Sequence, residues 1–196
     1  MRKTSSAMPV QTAVILAAGI GQRLGALADG QPKGALRLGA RSIVEESIAK
    51  LRTAGVTRIL IGTGYGAHYY RDLAAEACDI ELCHNRMYSQ SGSMYTLAEL
   101  GQHVDEDFLL LESDLVYEAR ALQVLQSADS GSTMLVSGFT GAGDEVFVEA
   151  NASGRLLTLS KHRRELGADV IGELVGISRL SVETVRDMIE RRAHCA

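Results

Sequence analysis

The sequence predicts an α/β fold in which a mostly parallel central sheet is covered by helices. Three observations carry this expectation. Continuous apolar runs such as "TAVILAA" (12–18) and "DFLLLESD" (107–114) suit strands buried on both faces. Amphipathic, helix-patterned segments alternate with them, as in β-α-β folds. Unusual residues collect where the apolar runs end, at 18–23, 62–65 and 112–114. In parallel sheets ligands bind beyond those carboxyl ends.

Residues 1–11 read as a loose leader and 12–196 as one domain. After the first strand, "SIVEESIAKLRTAG" (42–55) reads as a helix. Ser42 and Glu45 have capping-box spacing, Val44, Ile48 and Leu51 share a face, and Gly55 closes the helix. "TRILIGTG" (57–64) and "DIELC" (79–83) follow as strands, then "MYTLAEL" as a short helix and "DFLLLESD" as a further buried strand. "RALQVLQSA" is helical. "STMLVSGF", "EVFVEA", "LLTLSK" and "DVIGELVGISRL" return to a strand pattern, and "VETVRDMIERR" forms a final amphipathic helix. No repeat or low-complexity tract interrupts the alternation.

Composition narrows the function. The chain has 196 residues, 46% hydrophobic and 22% charged, with a net charge of −4. That balance argues against a broad nucleic-acid face. The longest apolar runs fall far short of the roughly 20 residues of a membrane span. No signal peptide is evident, and the three cysteines lack zinc-ligand spacing. A cytoplasmic protein with reduced thiols is the expectation.

The stretch "AVILAAGIGQRLGALADGQPK" (13–33) carries the chemistry. A Walker loop is absent, because Lys33 is followed by Gly34 and Ala35. A dinucleotide fingerprint is broken at Leu24, with Gly25 one place late. A plain strand-to-helix turn would explain the glycines alone. It does not explain Arg23 and Pro32-Lys33, which suit a phosphate held against the backbone.

Leu16-Ala17-Ala18-Gly19-Ile20-Gly21-Gln22-Arg23-Leu24, followed by Pro32-Lys33, resembles the signature of nucleotidyltransferases of the sugar-phosphate and cytidylyltransferase type. Ser or Thr is more usual at the position of Gln22. "NRMYSQSGSMYTLAEL", "LLLESDLVYE" and "GELVGISRLS" are most similar to the branch making CDP-linked phosphocholine, 2-aminoethylphosphonate or related phosphonates. The resemblance implies a Rossmann-like nucleotidyltransferase domain that uses CTP and Mg²⁺ to transfer CMP to a small phosphate or phosphonate. It implies nucleotide contacts from Leu16, Ala17, Ala18, Gly19, Gly21, Gly64, Ser91, Gly92 and Ser93. Arg23, Lys33 and Lys161 are the expected phosphate-facing catalytic cations, and Asp114 the metal ligand, with Glu112 beside it. Such a reaction needs no general base, since a phosphate or phosphonate acceptor is already largely ionised near pH 7. Positioning and charge neutralisation suffice.

Glu173 stands in an otherwise apolar strand pattern, where an acid is costly unless paired. It is expected either to receive a cationic acceptor or to replace a second metal aspartate. The family carries that aspartate in a further segment after the last helix, so the second ligand is expected to be either replaced here, by Glu173, or absent through a C-terminal truncation. Expected partners are CTP and the acceptor, with no nucleic acid or membrane, and a homodimer stays open. Two alternatives remain: a sugar-1-phosphate nucleotidyltransferase using another NTP, and a nucleotide-binding regulatory or remnant domain without turnover.

Overall fold

A computed structural model describes residues 9–21, 30–128 and 131–193. Arg23, the expected phosphate-gripping arginine, lies outside the described residues. The chain divides into two compact units, one of residues 1–133 with 178–196 and one of residues 134–177.

The first unit is built on four strands: β1 (Thr12–Ala17), β2 (Arg58–Thr63), β3 (Ile80–His84) and β4 (Phe108–Glu112). They lie in the order β3-β2-β1-β4, and every pairing is parallel. Strand β1 is buried along its whole length, which is why its sequence is continuously apolar rather than alternating. The register sets Leu16 opposite both Gly62 and Glu112. Three strands therefore finish level with one another, and the loops leaving them share one edge.

Helices α1 (Ile43–Thr53), α2 (Ala67–Ala75), α3 (Ser93–Gly101), α4 (Arg120–Gln126) and α5 (Val182–Ala193) complete this unit. The expected capping box on α1 is present: Ser42 accepts from the Glu45 amide at 3.2 Å, and the Ser42 amide donates to Glu45 at 2.7 Å. Hydrogen bonds donated by Ser42, its backbone amide first, hold the Glu45 carboxyl below its ordinary pKa. Helix α3 lies tight on β2 because residue 62 is glycine. A Cβ there would fall 2.5 Å from Thr96 Cγ2. The core is filled by Val14, Ile15, Leu51, Ile59, Ile61, Leu100, Leu109, Leu111 and Leu122, all fully buried or nearly so. Helix α2 has no counterpart in the sequence reading, which passed from one strand to the next across it.

The second unit holds most of β5 (Thr133–Ser137), the whole of β6 (Phe147–Ala150) and β7 (Leu156–Ser160), and most of β8 (Val170–Leu180). Here β6 pairs antiparallel with both β7 and β8, and β5 pairs with β8. The four segments that returned to a strand pattern are thus strands. The parallel part of the expected sheet is the first unit's. Among the described residues no helix is long and apolar enough to cross a membrane.

Candidate active site

A cavity of about 240 Å³ opens at the shared strand edge of the first unit. Its walls come from four stretches: Leu16–Gly21, Pro32 and Lys33, Ser91–Ser93 with Thr96, and Glu112–Asp114. Tyr70 and Tyr88 complete it. Ten residues expected from sequence to act on the ligand therefore border one space: Leu16, Ala17, Ala18, Gly19, Gly21, Lys33, Ser91, Gly92, Ser93 and Asp114.

Each wall has a local cause. Gly21 adopts φ +69°, and a Cβ there would lie 3.0 Å from Lys33 Cγ. Glycine thus supplies both the left-handed turn and the room for the lysine stem. Lys33 begins a single 3₁₀ turn, Lys33–Ala35, with no cap other than backbone. Its ammonium donates to Asp114 Oδ2 at 3.0 Å, and both side chains are 33% exposed. The loop before α3 is organised by buried Asn85. Its amide donates to Ser91 Oγ and Thr96 Oγ1, each at 3.0 Å, while its oxygen accepts from the Met87 amide at 2.8 Å. Gly92 is the N-cap of α3 and uses no side-chain cap. The free amides and positive end of that nine-residue helix consequently stand at the cavity wall, where an anion is favoured.

The acids give the site its electrostatic character. Asp114 is not a bare carboxylate awaiting a ligand, because Lys33 already pairs with it. Glu112 is half-buried at the end of β4, and its carboxyl is pushed up to about 7. Burial is the main cause, the neighbouring Asp114 charge adds to it, and Lys33 opposes it. The sign follows directly. The folded state holds this proton more tightly than the unfolded chain, so Glu112's favourable contribution is full below its unfolded pKa near 4.5 and is lost as pH rises through about 7. Glu112→Gln is expected to flatten the decline in stability between pH 4.5 and 7 and to raise stability at pH 8. Urea unfolding at pH 5 and pH 8 measures this, and an unchanged slope would refute it.

Three expected residues stand elsewhere. Gly64 does not border the cavity; it lies against residues that do. A Cβ on it would fall 2.5 Å from Tyr88 Cβ and 2.6 Å from the Ala18 carbonyl oxygen, so close packing explains its glycine. Lys161 belongs to the second unit and is exposed just after β7. Glu173 also belongs to the second unit, where it is 4% exposed. Its two carboxylate oxygens accept from Thr140, one from the amide at 2.9 Å and one from the hydroxyl at 2.7 Å. The pairing that a buried acid requires is thus met within that unit. Among the described residues no three His, Cys, Asp or Glu side chains form a metal-holding group.

Sequence reading missed Tyr70, Tyr88 and Asn85. For Tyr70 a signal existed: Ala67, Tyr70, Leu73 and Ala74 have the i, i+3, i+4 spacing of a helix face. Asn85 gave none, since a buried asparagine reads as one more loop residue.

Residues 13–177 match the profile of the MobA-like NTP transferase domain. The CMP-5'-(3-aminopropyl)phosphonate synthase of Streptomyces rubellomurinus is 30% identical over 84% of this chain and 27% of its own length. A UTP–glucose-1-phosphate uridylyltransferase of Haloferax volcanii is 30% identical over 58% of this chain and 47% of its own. The chain therefore spans less than half the length of these two relatives. The inositol-1-phosphate CTP transferase of T. maritima shares the fold with a TM-score of 0.75, at 19% identity over 91% of this chain and 73% of that one.

Proposed function

The chain belongs to the MobA-like NTP transferase domain family, and on that premise we propose that it transfers CMP from CTP to a small phosphate or phosphonate. The observation that carries this reading is the convergence of the glycine turn, Lys33, the start of α3 and two carboxyl groups on one cavity. It is a site for a polyanion together with a cation. The choice of CTP rests on the resemblance of the later segments and on the phosphonate-handling relative, which matches more of the chain than the uridylyltransferase does.

An oxyanion of the acceptor attacks the α-phosphorus and pyrophosphate leaves. The chain's own residues would position and neutralise. Lys33 exchanges Asp114 for a phosphate oxygen of the triphosphate. The amides of α3's first turn hold a further anionic oxygen, and Ser91 and Ser93 donate to nucleotide oxygens. No side chain needs to take a proton from the acceptor, and among the described residues lining the cavity there is neither histidine nor cysteine. Mg²⁺ suits the donor set, because Asp114 and Glu112 offer hard carboxyl oxygens and, among the described residues bordering the cavity, Lys33 is their one cation. When bound, Mg²⁺ would supply charge neutralisation at the phosphates. Glu173 is proposed to anchor the Thr140 segment rather than to hold metal.

Pyrophosphate release should be followed with CTP, UTP, GTP and dTTP against phosphocholine, 2-aminoethylphosphonate and glucose 1-phosphate. CTP with an aminoalkyl phosphate or phosphonate is expected to exceed every other pair by at least about tenfold in kcat/KM, the discrimination that one or two lost hydrogen bonds produce. A preference for UTP or dTTP with the sugar phosphate would replace this reading by the uridylyltransferase-like one. Nucleotide binding without release from any pair would leave a binding domain.

A further inference from the structure

We propose that Tyr70 is a positioning residue for Asp114, its buried hydroxyl donating to that carboxylate once Lys33 has left it for a bound triphosphate. The proposal rests on the cavity being a nucleotide site in which Asp114 faces the metal. Tyr70 projects from α2 and is 0% exposed, yet it borders the cavity. Its hydroxyl is buried with no hydrogen-bond partner among the described residues. Ser113 stands beside the phenol without reaching hydrogen-bond geometry. The hydroxyl is held against the turn that carries Lys33: a Cβ on Gly34 would lie 2.7 Å from it and 3.0 Å from the Ser113 carbonyl oxygen. The oxygen thus lies against the residue that follows Lys33 and near the residue that precedes Asp114.

Packing alone does not call for a hydroxyl here. The ring is satisfied by an edge contact with Tyr69, at 5.4 Å between centroids and 84° between planes. Phenylalanine would fill the same space without burying an unmet donor. The group is a donor throughout the physiological range, because burial pushes the phenol up to about 12. Asp114 borders the same cavity as Tyr70, and its charge acts on this phenol. Among the described residues Lys33 is the only hydrogen-bond partner of Asp114, through Oδ2. When a triphosphate draws Lys33 away, the carboxylate needs a new orienting donor, as carboxylates that hold metals generally have. Tyr70 is a buried donor without a hydrogen-bond partner among the described residues.

Tyr70→Phe tests this. The thermal midpoint is first recorded without ligand, and Mg²⁺ is then titrated against both the midpoint and the rate of pyrophosphate release at fixed CTP. The ligand-free midpoint is expected to hold or rise. The Mg²⁺ concentration for half effect should increase about tenfold, as for loss of a partner behind a metal ligand. KM for CTP at saturating Mg²⁺ should stay within about twofold, since the hydroxyl touches no nucleotide atom. An unchanged Mg²⁺ requirement would overturn the proposal, whatever happens to the midpoint. Asp114→Asn separates the two failures. If it shifts the Mg²⁺ requirement and Tyr70→Phe does not, only the Tyr70 role falls. If neither shifts it, the assignment of Asp114 falls as well.

Discussion

Lys33→Ala is expected to lower kcat/KM for CTP about 100-fold, close to the ~3 kcal/mol typical of removing one preorganised charge-stabilising donor. The ammonium borders the cavity, and among the described residues lining it Lys33 is the one cation. Stability should change little, because the Lys33–Asp114 pair is one-third exposed at both ends and is screened by water. A second consequence distinguishes this lysine from a structural one. Lys33 is what holds the Glu112 carboxyl down against burial and against Asp114. Its removal should move the acidic limb of any pH–rate profile governed by Glu112 to higher pH. Steady-state kinetics and pH profiles of wild type and variant decide the matter. Unchanged kcat/KM would remove Lys33 from the phosphate site.

The parallel half of the fold was legible because its strands are buried on both faces. "TAVILAA" and "DFLLLESD" can be little else in a chain this polar, and the strand ends they define are where the cavity opens. Lys33 and Asp114 came from a resemblance rather than from packing: a family signature singles them out, and both border the cavity. Helix α2 escaped because its start has no side-chain cap: Gly66 is the N-cap, in the left-handed region at φ 64°. Tyr70 escaped with it. Its significance depends on a contact with Gly34 and Ser113, more than thirty residues away in either direction, which no local pattern records. Glu173 misled in an instructive way. A lone acid in an apolar strand does need a partner, but Thr140 provides one through two ordinary hydrogen bonds. Sequence announces the need and is silent on who meets it.

Asp114→Asn is expected to reduce turnover about 10²–10³-fold at any fixed Mg²⁺ and to raise the Mg²⁺ concentration for half-maximal rate, since a neutral amide is a poor ligand for a hard cation. The sequence alone suggests that neutralising a carboxylate awaiting metal would leave the empty protein equally or more stable. With Lys33 paired to Asp114, the reason is different. The variant loses a partly exposed ion pair, worth about 0–1 kcal/mol. It also removes the charge that raises Glu112 alongside burial, and the two changes oppose each other. The decisive measurement is CTP binding in buffer stripped of divalent metal. There Asp114 acts only as a repulsive neighbour of the triphosphate and as a competitor for Lys33. Asp114→Asn should therefore bind metal-free CTP about fivefold more tightly than wild type, the equivalent of ~1 kcal/mol for one unit charge acting through a partly hydrated site. Lys33→Ala should bind it more weakly under the same conditions. Opposite signs from the two halves of one ion pair are what a triphosphate bound beside that pair produces. Equal losses in both variants would mean that the pair serves the fold, and that the nucleotide lies elsewhere.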